Sequence, residues 1–219
     1  MMRGFTFNGK HSYTDYGLGI ESKKIGSPAK AKIKESVPFL NGSYDFSTIG
    51  SNGEQVFKER PIQVVLSLPT KSTEELYALY SELLAWLLDT GQHELIFDDI
   101  PAYHFLAEVE SAASLEEMIR FGKLTVEFVC EPFKIGVLLQ DVEFDVIGTR
   151  TVSILNPGRT ITPTINASAA NMSVVFGGKT YSLTIGDNKI YGLRMQNGVN
   201  NMVLNGTGHI EVLFRREML

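Results

Sequence analysis

The sequence contains a single cysteine, Cys130, among its 219 residues. One thiol excludes both a disulfide framework and a metal site built from several thiolates. No apolar run approaches the roughly 20 residues that a membrane-spanning helix requires. The first ten residues also lack the apolar core of a signal peptide. We therefore expect a soluble protein, without membrane insertion, made in a reducing compartment.

Basic side chains are outnumbered, because 20 lysines and arginines face 25 acidic residues and give a net charge of −5. A mildly acidic chain is poorly suited to neutralising phosphates, so no specific binding of nucleic acid is expected. The apolar content of 43% is ordinary for a globular protein. The length suffices for one large or two modest domains.

Signatures of catalysis are also missing from the sequence. No GxSxG nucleophile motif, phosphate-binding loop or HExxH metal motif occurs, and the four histidines share no metal-ligand spacing. Asp141, Glu143 and Asp145 would share one face of a strand, where they could bind a hard cation such as calcium. An amphipathic strand with its polar face in water is the simpler interpretation. We therefore predict no catalytic residue, no cofactor and no metal, and hence no enzyme.

One helix is clearly indicated, over residues 73–89. Ser72 and Glu75 have the spacing of a capping box, in which each satisfies an unpaired backbone N–H group of the first turn. The leucines that follow recur with a period near 3.6 and form a wide apolar stripe. Gly91 provides a stop signal.

The remainder of the first 134 residues has the character of strands. Expected strands cover residues 5–7, 31–37, 63–68, 95–97, 103–109 and 124–130. Pro132 should end the last of them, because proline cannot donate to a ladder. A sheet with one long helix against it is an α+β arrangement.

From residue 135 onward the pattern is entirely that of a β protein. Short apolar stretches alternate with turn signals, including Gly177-Gly178, which suits a type I′ hairpin, and Asn205-Gly206. Strands at roughly ten-residue spacing predict a β-sandwich. We therefore expect two domains, residues 1–134 and 135–219.

Charge is segregated along the chain. Residues 1–34 carry seven basic and two acidic side chains, whereas residues 89–117 carry eight acidic side chains and no basic one. Opposite patches on one subunit suit head-to-tail contacts, which form rings when they close. The candidate subunit-interface residues are Lys30, Lys32, Lys34, Asp98, Asp99, Glu108 and Glu110. Neutralisation of the two segments within one domain is an equally good interpretation, and alternating lysines also protect an edge strand.

Several segments, in this order, resemble those of the distal tail proteins of siphovirus-like long-tailed phages and prophages. They are residues 5–9 (FTFNG), 16–18 (YGL), 37–39 (VPF), 41–47 (NGSYDFS), 121–128 (FGKLTVEF), 130–133 (CEPF), 156–158 (NPG), 163–165 (PTI) and 210–216 (IEVLFRR). Each segment alone is weakly specific, and their order and spacing carry the resemblance. The second domain lacks a long loop that the family would place before its last strand.

The resemblance implies a mostly β structural protein, with an α+β ring-forming belt domain followed by a galectin-like β-sandwich. Members of that family form hexameric rings at the tail tip, so a homo-oligomer is expected. The implied partners are the tail-tube protein, the tape-measure protein and a tail-associated fibre or lysin-type protein. The implied location is the virion tail tip, after assembly in the host cytoplasm. DNA would pass through the ring without adhering, which suits an acidic protein.

The alternative function is a carbohydrate-binding module that attaches to the bacterial cell surface. Sugar sites commonly present an exposed aromatic ring, but the one tryptophan, Trp86, lies on the predicted helix. Tyr181 and Tyr191 are the aromatic candidates in the second domain, and Tyr181 alternates with apolar residues as a core side chain would. The sequence alone therefore predicts no sugar binding.

Overall fold

The computed structural model describes residues 4–39, 41–51, 53–111, 115–117 and 122–219, with backbone alone for residues 50, 111 and 115–117. Arg3 of the basic segment and Phe121 of the FGKLTVEF segment lie outside the described residues. The chain forms two compact units, residues 1–134 with Leu219 and residues 135–218. We call them the N-terminal unit and the C-terminal unit.

The N-terminal unit holds the helix and the first ten strands. Its strands are β1 (Phe5–Phe7), β2 (Lys10–His11), β3 (Gly19–Ile25), β4 (Lys34–Glu35), β5 (Tyr44–Asp45), β6 (Arg60–Leu68), β7 (His93–Phe97), β8 (Tyr103–Ser111), β9 (Leu115–Glu117) and β10 (Gly122–Gly136), the last of which runs past Lys134. A short 3-10 helix spans Ile49–Ser51, and helix α1 spans Thr73–Leu88.

A curled sheet in the order β2-β1-β7-β8-β10-β6-β3 forms the body of this unit. Its strands alternate buried and exposed side chains, as the BeBeBiBiB pattern of β6 shows, because one face covers the core. The largest buried side chains on that face are Phe5, Phe7, Phe97, Phe105 and Phe128. The mostly β fold with one main helix, predicted from the sequence, is therefore confirmed.

Helix α1 begins and ends within a residue of its predicted bounds. The Ser72 hydroxyl accepts a hydrogen bond from the Glu75 backbone N–H, as the capping box requires. Trp86 is buried on the same side as the leucine stripe and donates from Nε1 to the Phe7 carbonyl at 2.9 Å. This bond joins the helix to strand β1.

Two strand predictions in this unit were wrong. Only Lys34–Glu35 of the predicted strand 31–37 is extended and paired. Strand β10 continues through Pro132 to Gly136, although its ladder with β6 ends where Cys130 opposes Arg60. Pro132 lies beyond that ladder, so its missing N–H group removes no bond from it.

The C-terminal unit is a six-stranded curled sheet. Its strands are β11 (Gln140–Asn156), β12 (Thr164–Ala167), β13 (Ser173–Phe176), β14 (Lys179–Ser182), β15 (Gly186–Lys189) and β16 (Gly198–Phe214), and a short β17 (Glu217–Met218) follows. The path β14-β13-β16-β12-β15 places β16 centrally, and β11 pairs with β16 along all 17 residues. The inner face covers a separate apolar core that includes Met172, Met202 and Ile210.

The hairpin prediction in this unit is confirmed, and the turn prediction at Asn205-Gly206 was wrong. Gly177 and Gly178 both have positive φ, at 58° and 75°, as a type I′ turn requires. Asn205-Gly206 is not a turn, because β16 runs through it as one strand. Gly206 takes a φ of 119° there, and a Cβ atom would meet Met172 at 3.1 Å. The glycine thus allows a close approach within a long strand.

Candidate assembly surface

A segment of the N-terminal unit leaves the sheet after β3 and returns at β6. We call residues 27–58 the arm. Its strands β4 and β5 pair with each other in a sheet of their own, in the part of the chain that the structure describes. Backbone bonds from Ala31 to Val56 at 2.9 Å and from Lys58 to Ala29 at 2.7 Å hold its two limbs together.

The arm exposes an unusual amount of apolar surface. Of eighteen exposed large hydrophobic side chains among the described residues, seven lie within residues 33–56. They are Ile33, Val37, Phe39, Tyr44, Phe46, Ile49 and Val56. Large exposed apolar patches are uncommon on monomeric proteins and are typical of interaction surfaces.

Phe39 shows this most clearly. Its side chain is as exposed as in an extended peptide, and its φ of 67° is the left-handed conformation that a bulky residue rarely adopts. Strain of that kind costs on the order of 1 kcal/mol and persists where the surroundings or a function require it. Within the subunit the exposed ring returns none of this energy, so a contact outside the subunit is the consistent explanation.

The three candidate lysines all lie on the arm. Lys30 forms an isolated bridge with Phe57, and Lys34 lies in β4 opposite Asp45. Lys32 forms an ion pair with Asp45 at 2.8 Å, and this hydrogen bond holds the pKa of Asp45 well below its usual range. Lys30 and Lys34 remain exposed and have no carboxylate partner among the described residues.

The four candidate acidic residues divide into two pairs. Asp98 accepts a bond from the Gly4 backbone N–H at 2.7 Å, and its other oxygen lies 3.0 Å from His11. Asp99 forms an ion pair with Lys23 at 2.5 Å. Both aspartates are therefore held by the basic N-terminal segment of their own subunit.

Glu108 and Glu110 behave differently. They lie on the exposed face of β8, alternating with buried Ala107 and Val109. Neither has an ion-pair partner in the described ranges. The structure thus brings Asp98 and Asp99 to basic partners, whereas two lysines on the arm and two glutamates on β8 have no oppositely charged partner in the part of the chain that the structure describes.

Strand β3 forms one edge of the large sheet. It pairs with β6 alone among the described strands, so its other side presents unpaired backbone groups. Such an edge is a ready site for a strand of another chain. The exposed charge of Lys24 disfavours pairing along only part of this edge.

The acidic strand face of the C-terminal unit surrounds a histidine. His209 lies opposite Asp145 with Nδ1 at 2.9 Å from the carboxylate, and its Nε2 lies 3.7 Å from Glu143 and 3.8 Å from Glu211. The hydrogen bond with Asp145 raises the pKa of His209. No group of three or more such side chains in the described ranges could hold a metal ion.

No helix in the described part of the chain is long and apolar enough to cross a membrane.

Sequence reasoning missed the apolar side chains of the arm. Charge counting identified its lysines, whereas its hydrophobic residues beyond position 37 follow neither a helical nor a strand period. The sequence did contain one indication of this surface, namely the lack of a regular hydrophobic period around Asn41-Gly42. Apolar residues that fit no regular element are candidates for contact with another chain.

Comparison with known proteins places the chain among phage proteins. Residues 9–130 match the family model of the phage tail protein RIFT-related domain. The structure resembles the Dit protein of phage SPP1 with a TM-score of 0.74 and 17% identity over the whole of both chains. A chain of the phage p2 baseplate aligns over its whole length at 10% identity, but its TM-score of 0.45 carries no weight. No curated protein sequence matches the chain.

Proposed function

Since the chain belongs to the phage tail protein RIFT-related domain family, we propose that it is a structural hub of a phage tail tip, whose copies close into a ring. The exposed apolar arm is the observation that supports this proposal most strongly. A subunit whose arm stayed in water would leave seven large hydrophobic side chains hydrated. Covering them in a neighbouring copy gains free energy in proportion to the apolar area removed from water.

Another copy of the chain is the partner that the charges favour. Lys30 and Lys34 accompany the apolar side chains on the arm, and Glu108 and Glu110 stand exposed on β8. An arm that reaches the β8 region of the next subunit would pair these charges. We assign Asp98 and Asp99, which already have basic partners, to the fold of the subunit rather than to the interface.

Such a contact is able to build a closed assembly. The arm and β8 are different surfaces, so the contact is head-to-tail and propagates in one direction. Head-to-tail contacts close into a ring when the rotation between copies divides a full turn. Six copies are the number that the resemblance to distal tail proteins implies.

The finer assignments follow from that resemblance and stay part of the proposal. The N-terminal unit forms the ring, and the C-terminal unit decorates its outside. The tail-tube protein, the tape-measure protein and a tail-associated fibre or lysin-type protein are the partners, and DNA passes through the channel. The SPP1 protein is described as a hub of the adsorption apparatus in phages that infect Gram-positive bacteria, and we propose the same kind of role here.

The function is tested by imaging the chain with its expected neighbour. Purified protein is mixed with tail tubes that lack a tip and examined by negative-stain electron microscopy. We expect rings in the free protein and a ring on one end of each tube. Tubes that stay uncapped, beside a protein that never forms rings, would contradict the proposal.

The arm-to-β8 contact is tested by reversing charges. The double variant Lys30→Glu with Lys34→Glu should weaken assembly. In the wild-type protein, association should also weaken as the salt concentration is raised, because salt screens the attraction between the charges. Lys71→Glu with Lys179→Glu is the matched control, because both lysines are exposed and lie off the arm. Lys30 and Lys34 have no ion-pair partner among the described residues, so their replacement should leave the folding of the subunit unchanged.

A compensating variant makes this test specific. Adding Glu108→Lys and Glu110→Lys to the arm variant restores opposite charges across the proposed contact, so assembly should recover. Recovery cannot come from contacts inside the subunit, because these four residues have no ion pairs with one another there. If none of these variants changes assembly, the four charged residues play no part in the interface.

A further inference from the structure

A groove of about 540 Å³ opens on the C-terminal unit. Its volume lies within the range of small-molecule and oligosaccharide sites. The sheet contributes Thr164, Asp187 and Lys189 to its floor, and the segments before β11 and after β15 contribute Leu139 and Tyr191. None of these residues belongs to the assembly surface of the N-terminal unit.

Tyr191 gives the groove an exposed aromatic face. It is 79% exposed, whereas Tyr181 is half-buried and donates its hydroxyl hydrogen to the Gly192 carbonyl at 2.9 Å. That bond anchors the backbone next to Tyr191 and so fixes the base of the exposed ring. An anchored aromatic ring in water offers an apolar face for stacking at a small entropic cost.

The polar side chains are arranged in rows across the sheet. Lys189, Thr164 and Leu213 are direct cross-strand neighbours on the outer face, and Asp187 and Asn166 form the next row. The Asn166 amide donates to the Asp187 carboxylate at 2.7 Å, which orients that carboxylate. Neighbouring donors and acceptors of this kind match the vicinal hydroxyl groups of a sugar ring.

The groove is rigid before any ligand arrives. The Asn188 side chain donates to the carbonyls of Thr184, Gly186 and Ile165 at 2.7–3.2 Å and fixes the strand that carries Asp187 and Lys189. On the opposite wall, Arg215 donates to the Gly136 and Val137 carbonyls and holds the segment that carries Leu139. A preformed site loses little conformational entropy on binding.

Charge at the groove is balanced. Among the residues that line it, the acidic Asp187 and Glu217 are matched by the basic Lys189 and Arg215. Beyond the floor the outer face becomes acidic, with Glu211 opposite Glu143. The balanced groove offers no net positive charge to a phosphate polymer, and the acidic face beside it repels one, so hydroxyl groups and ring faces are the features that the groove can recognise.

We propose that this groove binds a neutral polysaccharide, with one sugar ring stacked on Tyr191 and its hydroxyl groups on Asp187, Lys189 and Thr164. This revises the sequence interpretation, which named Tyr191 as an aromatic candidate but predicted no sugar binding. The sugar-binding proposal does not depend on the ring proposal, because sugar binding can be measured whether the protein is monomeric or assembled.

The experiment uses the full chain on an array of neutral oligosaccharides of glucose, galactose, rhamnose and N-acetylglucosamine, beside a glycerol-phosphate polymer. The dissociation constant for the best neutral ligand is then measured by NMR titration. We expect neutral ligands to bind and the phosphate polymer not to bind. Tyr191→Ala should weaken binding about tenfold, which corresponds to the 1–1.5 kcal/mol of one aromatic contact.

Two further variants separate stacking from folding. Tyr191→Phe keeps the aromatic face and should bind like wild type, and Ile147→Ala removes a similarly exposed side chain of the same unit that does not line the groove. Circular dichroism should show all three variants folded, because these side chains are exposed. An array without neutral ligands, preference for the phosphate polymer, or unchanged affinity in Tyr191→Ala would each overturn the proposal.

Discussion

The double variant Phe39→Ser with Ile49→Ser should separate the copies without unfolding them. Both side chains lie exposed on the arm, and Ile49 retains 73% of its accessible surface. Replacing them should therefore leave the free energy of unfolding of one subunit within about 0.5 kcal/mol of wild type, as for other exposed positions. In the proposed contact both side chains are buried in a neighbouring copy, and the variant removes that burial.

The expected loss follows from the size of these side chains. Burying a large hydrophobic side chain contributes about 1.5–3 kcal/mol, so two of them contribute roughly 3–6 kcal/mol to each arm contact. Since 1.4 kcal/mol is a factor of ten, each contact should weaken by roughly 10²- to 10⁴-fold. Because every copy in a ring makes such a contact, the ring should dissociate at the micromolar protein concentrations used in solution experiments.

Light scattering coupled to size-exclusion chromatography measures this effect as a shift of the assembly midpoint with protein concentration. The control variant Ile147→Ser with Leu155→Ser changes two exposed apolar residues of the C-terminal unit and should assemble like wild type. An arm variant that assembles over the wild-type concentration range would refute the reasoning. So would a variant that unfolds, because the arm would then be part of the subunit core.

Four other predictions each concern one of the two units. Trp86→Phe removes the buried bond to the Phe7 carbonyl and part of the stacked core, so urea unfolding should show a loss of about 2–4 kcal/mol. Asp145→Asn should lower the pKa of His209 toward its ordinary value, which NMR titration measures, because the hydrogen bond that the His209 ring donates to the Asp145 carboxylate raises it. Burial raises the pKa of Cys130 to about 12, so native protein should react with a thiol reagent far more slowly than unfolded protein. The stability that this thiol contributes is complete below roughly pH 8.5 and is lost as the pH rises toward 12, so Cys130→Ala should flatten the alkaline decline of the unfolding free energy.

Local signals predicted the regular elements well. The capping box at Ser72 and the leucine stripe located α1 because both depend only on residues three or four apart. Gly177-Gly178 located a hairpin because two adjacent positive φ angles demand such residues. In both cases the physics that forms the element acts within one turn of chain.

Predictions failed where pairing partners decide the structure. Asn205-Gly206 carries the same local turn signal as the true hairpin, but β11 pairs with β16 on both sides of it and keeps the strand continuous. Pro132 was expected to end a strand, and its effect depends on which side of β10 needs an N–H donor. Neither fact is encoded near the residue itself.

The candidate surface was predicted only in part, because some of its contacts join residues that are distant in the sequence. Counting charges along the chain identified the lysines of the arm and the glutamates of β8. It could not reveal that Lys23 meets Asp99 within the subunit, since 76 residues separate them. Nor could it reveal that Phe39 faces water, because burial depends on the completed fold.

The molar mass of the purified protein in solution tests the central claim most directly, namely that copies associate through their arms into a closed ring. Six copies of a 24.3 kDa chain would give about 146 kDa, and the mass should stay constant over a range of concentrations because a closed ring has no free contact left. A single species of 24.3 kDa at every concentration, or a mass that grows without limit, would contradict the account.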